Sequence, residues 1–122
     1  MKLLLIRGLP GSGKSTMAAG LEGFKHYEAD MYFTHDGEYS YNKDEIQDAH
    51  AWCQMRTFAA LDDGNDVVVS NTFSRRWEMQ PYEEMAQRFG AALLIITVKG
   101  EHRNVHGVPD EVIERMRQRW ED

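Results

Sequence analysis

The stretch Leu3-Leu4-Leu5-Ile6-Arg7-Gly8-Leu9-Pro10-Gly11-Ser12-Gly13-Lys14-Ser15 decides the fold. Its first part is a short unbroken apolar run, the pattern of a strand buried on both faces of a parallel sheet. Its second part, Gly8 to Ser15, matches G-x-x-x-x-G-K-[ST] at every fixed position. Glycines let the backbone curl until the N–H groups of Gly11, Gly13, Lys14, Ser15 and Thr16 turn inward as donors for phosphate oxygens. Gly8 opens the turn and Ser12 lies within the cradle. Lys14 adds a cation for the β- and γ-phosphates, and the Ser15 hydroxyl is a hard oxygen ligand suited to Mg²⁺. The stretch therefore predicts binding of a nucleoside triphosphate with Mg²⁺.

Outward from the loop, apolar spacing predicts a helix from Lys14 to about Leu21 and a short strand over Lys25–Ala29. Met31–Asn42 is aromatic and turn-rich, with Asp36–Gly37 at the centre of a loop or small hairpin. Ile46, Ala49, Cys53, Thr57 and Ala60 step by 3, 4, 4 and 3, one face of a helix over Asp44–Leu61. Three valines mark a strand at Asp66–Ser70. A helix from Ser74 through Phe89 is expected to kink at Pro81, and Ala92–Val98 is the last strand. Pro109 opens a final helix with Val112, Ile113, Met116 and Trp120 on its buried side. This alternation predicts an α/β fold, a parallel sheet with helices on both faces, in a single domain over residues 1–122.

Composition narrows the function classes. The chain has 122 residues, 42% hydrophobic and 28% charged, a balance that suits one globular core. Its longest apolar run, Leu3–Ile6, is far below the roughly 20 residues of a membrane span. That run meets Gly8–Lys14 without a small-residue cleavage site, so a signal peptide is not expected. A lone Cys53 makes no internal disulfide, which fits a reducing cytoplasm. A net charge of −6 argues against broad non-specific nucleic-acid binding while leaving room for a local basic cleft. No apolar stripe signals an oligomer.

Three further segments bear on chemistry. Asp30 follows a predicted strand, where parallel-sheet proteins display side chains into a cleft, and a carboxylate there can take the proton of an attacking hydroxyl. Ser70-Asn71-Thr72 follows the valine strand without the acid that usually stands there, which leaves Mg²⁺ to Ser15, phosphates, water and Asp30. Asn71 and Thr72 suit hydrogen bonds to an acceptor, or simply turn geometry. A polar lid over about 99–107 carries His102, Arg103 and His106, and Arg103 suits a charge-stabilising role over the transferring phosphoryl or a solvated place on the surface. His102 and His106 have metal-ligand spacing but no third ligand in sequence, and Cys53 reads as core packing.

Gly8–Ser15, Ala29-Asp30, Ser70-Asn71-Thr72 and the run Arg103-Asn104-x-His106-Gly107-Val108-Pro109 together resemble polynucleotide-kinase-type P-loop kinases. Within that group the likeness is to small phage and bacterial ATP-binding proteins, which carry stretches similar to Ala49-His50-x-x-Cys53-Gln54 and Trp77-Glu78-Met79-x-Pro81-Tyr82. The resemblance covers essentially the whole chain. It implies a P-loop NTPase of kinase type: a three-layer α/β/α sandwich whose four-stranded parallel sheet has the order 2-3-1-4. It further implies ATP as donor and transfer of its γ-phosphate to a hydroxyl. By position, Asp30 matches the general base, Arg103 the lid arginine, Lys14 and Ser15 the phosphate and Mg²⁺ residues, and Val108 a residue beside the acceptor channel.

There are departures from the pattern. Phe33 stands where an acceptor-phosphate arginine is expected, Asn71 where an aspartate is, and the segment before the lid is short. Arg75 and Arg76 are the remaining candidates for an acceptor phosphate. Tyr32, Phe33, Tyr39 and Tyr41 either stack on a base or cover the edge of the core. The expectation is an ATP-dependent kinase acting on a nucleic-acid 5′ end, nucleoside or nucleotide. The alternatives are a nucleotide-sugar kinase of zeta-toxin-like type and a nucleotide-dependent protein-binding module with weak ATPase activity.

Overall fold

A computed structural model describes residues 1–100 and 108–122. Lys2–Arg7 forms β1, and the glycine-rich loop leads into α1, Lys14–Ala19. Phe24–Tyr27 is β2, followed by a 3₁₀ turn over Ala29–Phe33 and a two-stranded hairpin of β3, Thr34–His35, and β4, Glu38–Tyr39. A further 3₁₀ turn, Lys43–Glu45, precedes α2, Ile46–Asp62. Then come β5, Asp66–Asn71, a 3₁₀ turn over Arg76–Glu78, α3, Gln80–Phe89, β6, Ala92–Thr97, and α4, Asp110–Gln118.

The main sheet has the order β2-β5-β1-β6, all parallel, with Leu4 opposite Val68 on one side and Leu94 on the other. Counted among the sheet strands alone, this is the expected 2-3-1-4. Alternate residues of a strand point to opposite faces, and the core divides accordingly. Leu3, Leu5, Val67 and Val69 pack on Ala49, Cys53 and Leu61 of α2 and on Tyr82 and Ala86 of α3. Leu4, Ile6 and Val68 pack on Ala18 of α1. These are the three expected layers. No helix among the described residues is long and apolar enough to cross a membrane.

Two local expectations change. Pro81 falls in the first turn of α3, where no helical N–H is lost, so it starts the helix and does not kink it. The turn before it is capped instead by Glu78, whose Oε2 accepts from the Arg75 N–H at 2.7 Å. Val112, Ile113 and Met116 of α4 and Trp120 just after it are half-buried, not core residues. The reason is position: Val112 and Met116 face the cleft at the carboxyl ends of the strands. The Asp36–Gly37 hairpin does form, with φ of 51° and 81°, the two left-handed residues of a type I′ turn.

Candidate active site

The glycine-rich loop is drawn tight between two strand ends. Gly8 N–H donates to the Thr72 carbonyl at 3.3 Å, and Val98 N–H donates to the Arg7 carbonyl at 2.8 Å. A Cβ on Gly8 would lie 2.4 Å from Ser12 Oγ and 2.8 Å from the Val98 carbonyl. Gly11 and Gly13 have φ of 84° and 95°, the left-handed region that a side chain disfavours. Beyond Gly13, helix geometry leaves the N–H groups of Lys14, Ser15 and Thr16 outside the helical ladder and available to an anion. Ser12 is 3% exposed, and its Oγ finds no hydrogen-bond partner among the described residues. Lys14 is 8% exposed; burial lowers its ammonium pKa, while Glu28 and Asp30 oppose that shift.

Two carboxylates stand beside the loop, two residues apart at the carboxyl end of β2. Glu28 Oε2 accepts from Ser15 Oγ at 2.7 Å and from Ser70 Oγ at 2.8 Å. The Ser70 hydroxyl has one proton and gives it to Glu28, so His26 Nε2, 2.8 Å from Ser70 Oγ, must be the donor in that pair. Burial works against the Glu28 charge, but the contacts with His26, Ser15 and Ser70 outweigh it and hold the carboxyl at about 2. Asp30 sits in the 3₁₀ turn and accepts from the Tyr39 hydroxyl at 2.9 Å. Burial, then Asp30 itself, pushes the Tyr39 phenol well above its usual range.

These groups open onto a cleft of about 640 Å³. Lys14, Ser15, Glu28 and Asp30 line it together with Thr72; the rings of Phe33, Tyr39, Tyr41 and His50 and the apolar side chains of Val108, Val112 and Met116 complete the lining. The paired oxygens of Ser15 and Glu28 are hard donors of the kind Mg²⁺ takes, so the residues present fit that ion.

Of the residues expected from sequence, Lys14, Ser15, Asp30, Asn71, Thr72 and Val108 reach this one cleft. Asn71 does so with its amide already engaged: Oδ1 accepts from Ala29 N–H at 2.8 Å, and Nδ2 lies 3.7 Å from Cys53 Sγ. It anchors the turn that carries Asp30. Arg75 and Arg76 are not among the cleft residues. Arg76 donates through its N–H to Glu121 Oε1 at 2.9 Å and through its guanidinium to the Asp122 carbonyl at 2.8 Å. Arg75 lies 3.9 Å from Glu121 Oε2. Both arginines therefore hold the segment after α4, which Arg7 also clamps through hydrogen bonds to Phe73 and Glu121 and a stack on Trp120. Arg103, His102 and His106 lie outside the described residues.

Glu28 was not foreseen from the sequence, although a signal exists. Glu28 is an acid near the carboxyl end of a predicted strand, where parallel-sheet proteins display side chains into a cleft. Arg119 is the other addition: it reaches the cleft and donates through Nε to Ser74 Oγ at 3.1 Å.

A family model described as an AAA domain matches residues 3–107, most of the chain. The chain belongs to this AAA_33 family. Its fold is that of the P-loop kinases. This AAA_33 domain is 32% identical over 133 residues to NEDD4-binding protein 2 of Homo sapiens, covering 98% of the chain and 8% of that protein. Among solved structures, the Pnkp1/Rnl/Hen1 complex contains a chain matched with a TM-score of 0.62 at 20% identity, over 93% of this chain and 38% of that one. A gluconokinase from Sinorhizobium meliloti 1021 gives a TM-score of 0.64 at 18% identity, over 99% of this chain and 75% of that one. The AAA_33 domain is thus a small part of the human relative's length.

Proposed function

We propose that this AAA_33 domain is an ATP- and Mg²⁺-dependent phosphotransferase that moves the γ-phosphate to a hydroxyl of a nucleic-acid 5′ end, nucleoside or nucleotide. The observation that carries the reading is the meeting of Lys14, Ser15 and Asp30 in one cleft. In this reading the loop N–H groups and Lys14 hold the β- and γ-phosphates, and Ser15 contributes an oxygen to the cation. Bound Mg²⁺ supplies charge neutralisation at the β- and γ-oxygens. Asp30 accepts the acceptor's hydroxyl proton as its oxygen bonds to the γ-phosphorus and the bond to the β–γ bridging oxygen breaks, releasing ADP. Tyr39, hydrogen-bonded to Asp30, orients that carboxylate. The exposed rings of Tyr39 and Tyr41 favour an acceptor with a planar base, and Arg103 is assigned the charge that stabilises the transferring group.

The test is transfer of label from γ-labelled ATP to a 5′-hydroxyl oligonucleotide, to nucleosides and to gluconate, with Lys14→Ala and Asp30→Asn run alongside. Label on an oligonucleotide or nucleoside, absent with Lys14→Ala and reduced at least about 10²-fold with Asp30→Asn, supports the assignment. Label on gluconate alone, or release of free phosphate with every acceptor, overturns it.

A further inference from the structure

A kinase of the kind proposed above needs an acid beside its cation, and the carboxyl end of β5, where one usually stands, holds Asn71. We propose that Glu28, at the end of the adjacent strand β2, is the acid that positions Ser15 for the divalent cation; this rests on the ATP–Mg²⁺ reading above. The Ser15 hydroxyl gives its single proton to Glu28 at 2.7 Å. Donating in that direction turns the oxygen's lone pairs away from Glu28 and leaves them for a cation.

Three features distinguish Glu28 from an ordinary surface carboxylate. Its side chain is only 14% exposed, yet among the described residues no lysine or arginine pairs with it within 4.0 Å. Lys14 acts on it from beyond ion-pair distance, and its direct partners are hydroxyls and a histidine edge, which leaves its charge available to a cation. It is also held in orientation from behind by Ser70 at 2.8 Å, which His26 in turn holds at 2.8 Å. Relays of this type fix the direction of groups that serve metals. Finally, Asn71 is not a rival for the role, since its amide is spent on Ala29 and Cys53. By gripping Ala29 N–H, Asn71 fixes the peptide directly after Glu28.

The alternative is a purely architectural hub that ties β2, β5 and α1 together. The two differ in how nucleotide affinity responds to metal. Titration calorimetry of a non-hydrolysable ATP analogue, with Mg²⁺ and then with EDTA, gives a metal-dependent gain in affinity for the wild-type domain. Glu28→Gln keeps an oxygen to accept from Ser15 but loses the charge. It is expected to reduce that gain about tenfold or more while leaving the EDTA affinity unchanged or tighter. Mn²⁺ bound with the analogue, followed by electron paramagnetic resonance, should show the same loss, and the exposed control Glu84→Gln should show none. An equal fall with and without metal means an architectural role and overturns the proposal, as does an undiminished gain. Should Glu28→Gln fail to fold, Glu28→Asp replaces it and is expected to lose part of the gain; a result identical to wild type overturns the proposal. A wild-type domain that binds no nucleotide under either condition refutes the kinase reading itself, and this proposal with it.

Discussion

A methyl group at residue 8 would meet the backbone carbonyl of Val98, just past β6, at 2.8 Å as well as a hydroxyl at 2.4 Å, and a carbonyl does not swing aside as a side chain does. Gly8→Ala should therefore cost about 1–3 kcal/mol of stability and weaken nucleotide binding together, measured by urea denaturation and by titration of an ATP analogue. Asn71→Ala leaves the Ala29 N–H without its acceptor in a place that is 6% exposed. The expected loss is about 1–3 kcal/mol, with slower phosphotransfer at saturating ATP, because the turn bearing Asp30 loses its anchor. Asn71 also marks a limit of reading a sequence by residue type. Its place after a strand was legible, but whether an amide faces solvent or its own backbone depends on Ala29, 42 residues earlier in the chain. Arg75 and Arg76 show the same dependence, since their partners Glu121 and Asp122 lie 45 residues or more away.

At the scale of elements, the β3–β4 hairpin links turn chemistry to the proposed base. Gly37 holds a φ of 81°, and Tyr39, two residues on, reaches Asp30. Gly37→Val should cost the hairpin about 1–2 kcal/mol, since a branched side chain is strained at that φ. We expect faster hydrogen exchange at the Ser40 amide, which bonds to the Phe33 carbonyl at 2.8 Å, and a severalfold slower transfer with nucleotide affinity unchanged. Elements with a local cause were readable beforehand: the Asp36–Gly37 turn, the valine strand and the apolar face of α2. The helix after β5 was placed correctly but begun too early, because Pro81 suits either a kink or a first turn and the choice was made by Glu78 capping the preceding turn. For α4 the apolar spacing gave the right face and the wrong neighbour, a cleft in place of the core.

For the whole molecule, the thiol of Cys53 reports on intact packing. It is fully buried, and burial pushes its pKa up despite contacts with Tyr82 and Asn71. An aromatic disulfide reagent should leave the native protein unlabelled and react fully in urea, with a labelling rate set by opening of the fold; rapid native labelling would contradict the packing of α2 on the sheet. Acid should weaken the fold through His50. Burial holds its pKa below the ordinary 6.5, with Glu78 and Asp30 opposing, so the unfolded chain binds the proton more readily. Stability from this group is present above about pH 6.5 and declines as pH falls below it, and His50→Gln should flatten that part of a pH series of urea midpoints.

The strand order β2-β5-β1-β6 has one more consequence. The chain winds one way from β1 to β2, placing α1 on one face, then reverses and winds the other way through β5 to β6, placing α2 and α3 on the opposite face. Where the winding reverses, the connections leaving β1 and its neighbour β5 part to opposite sides, and a crevice opens above the two strands before any side chain is chosen. The location of the site is thus a property of the path of the chain. Substitutions at Tyr39, Tyr41 or Thr72 change what the crevice recognises, but they do not move it.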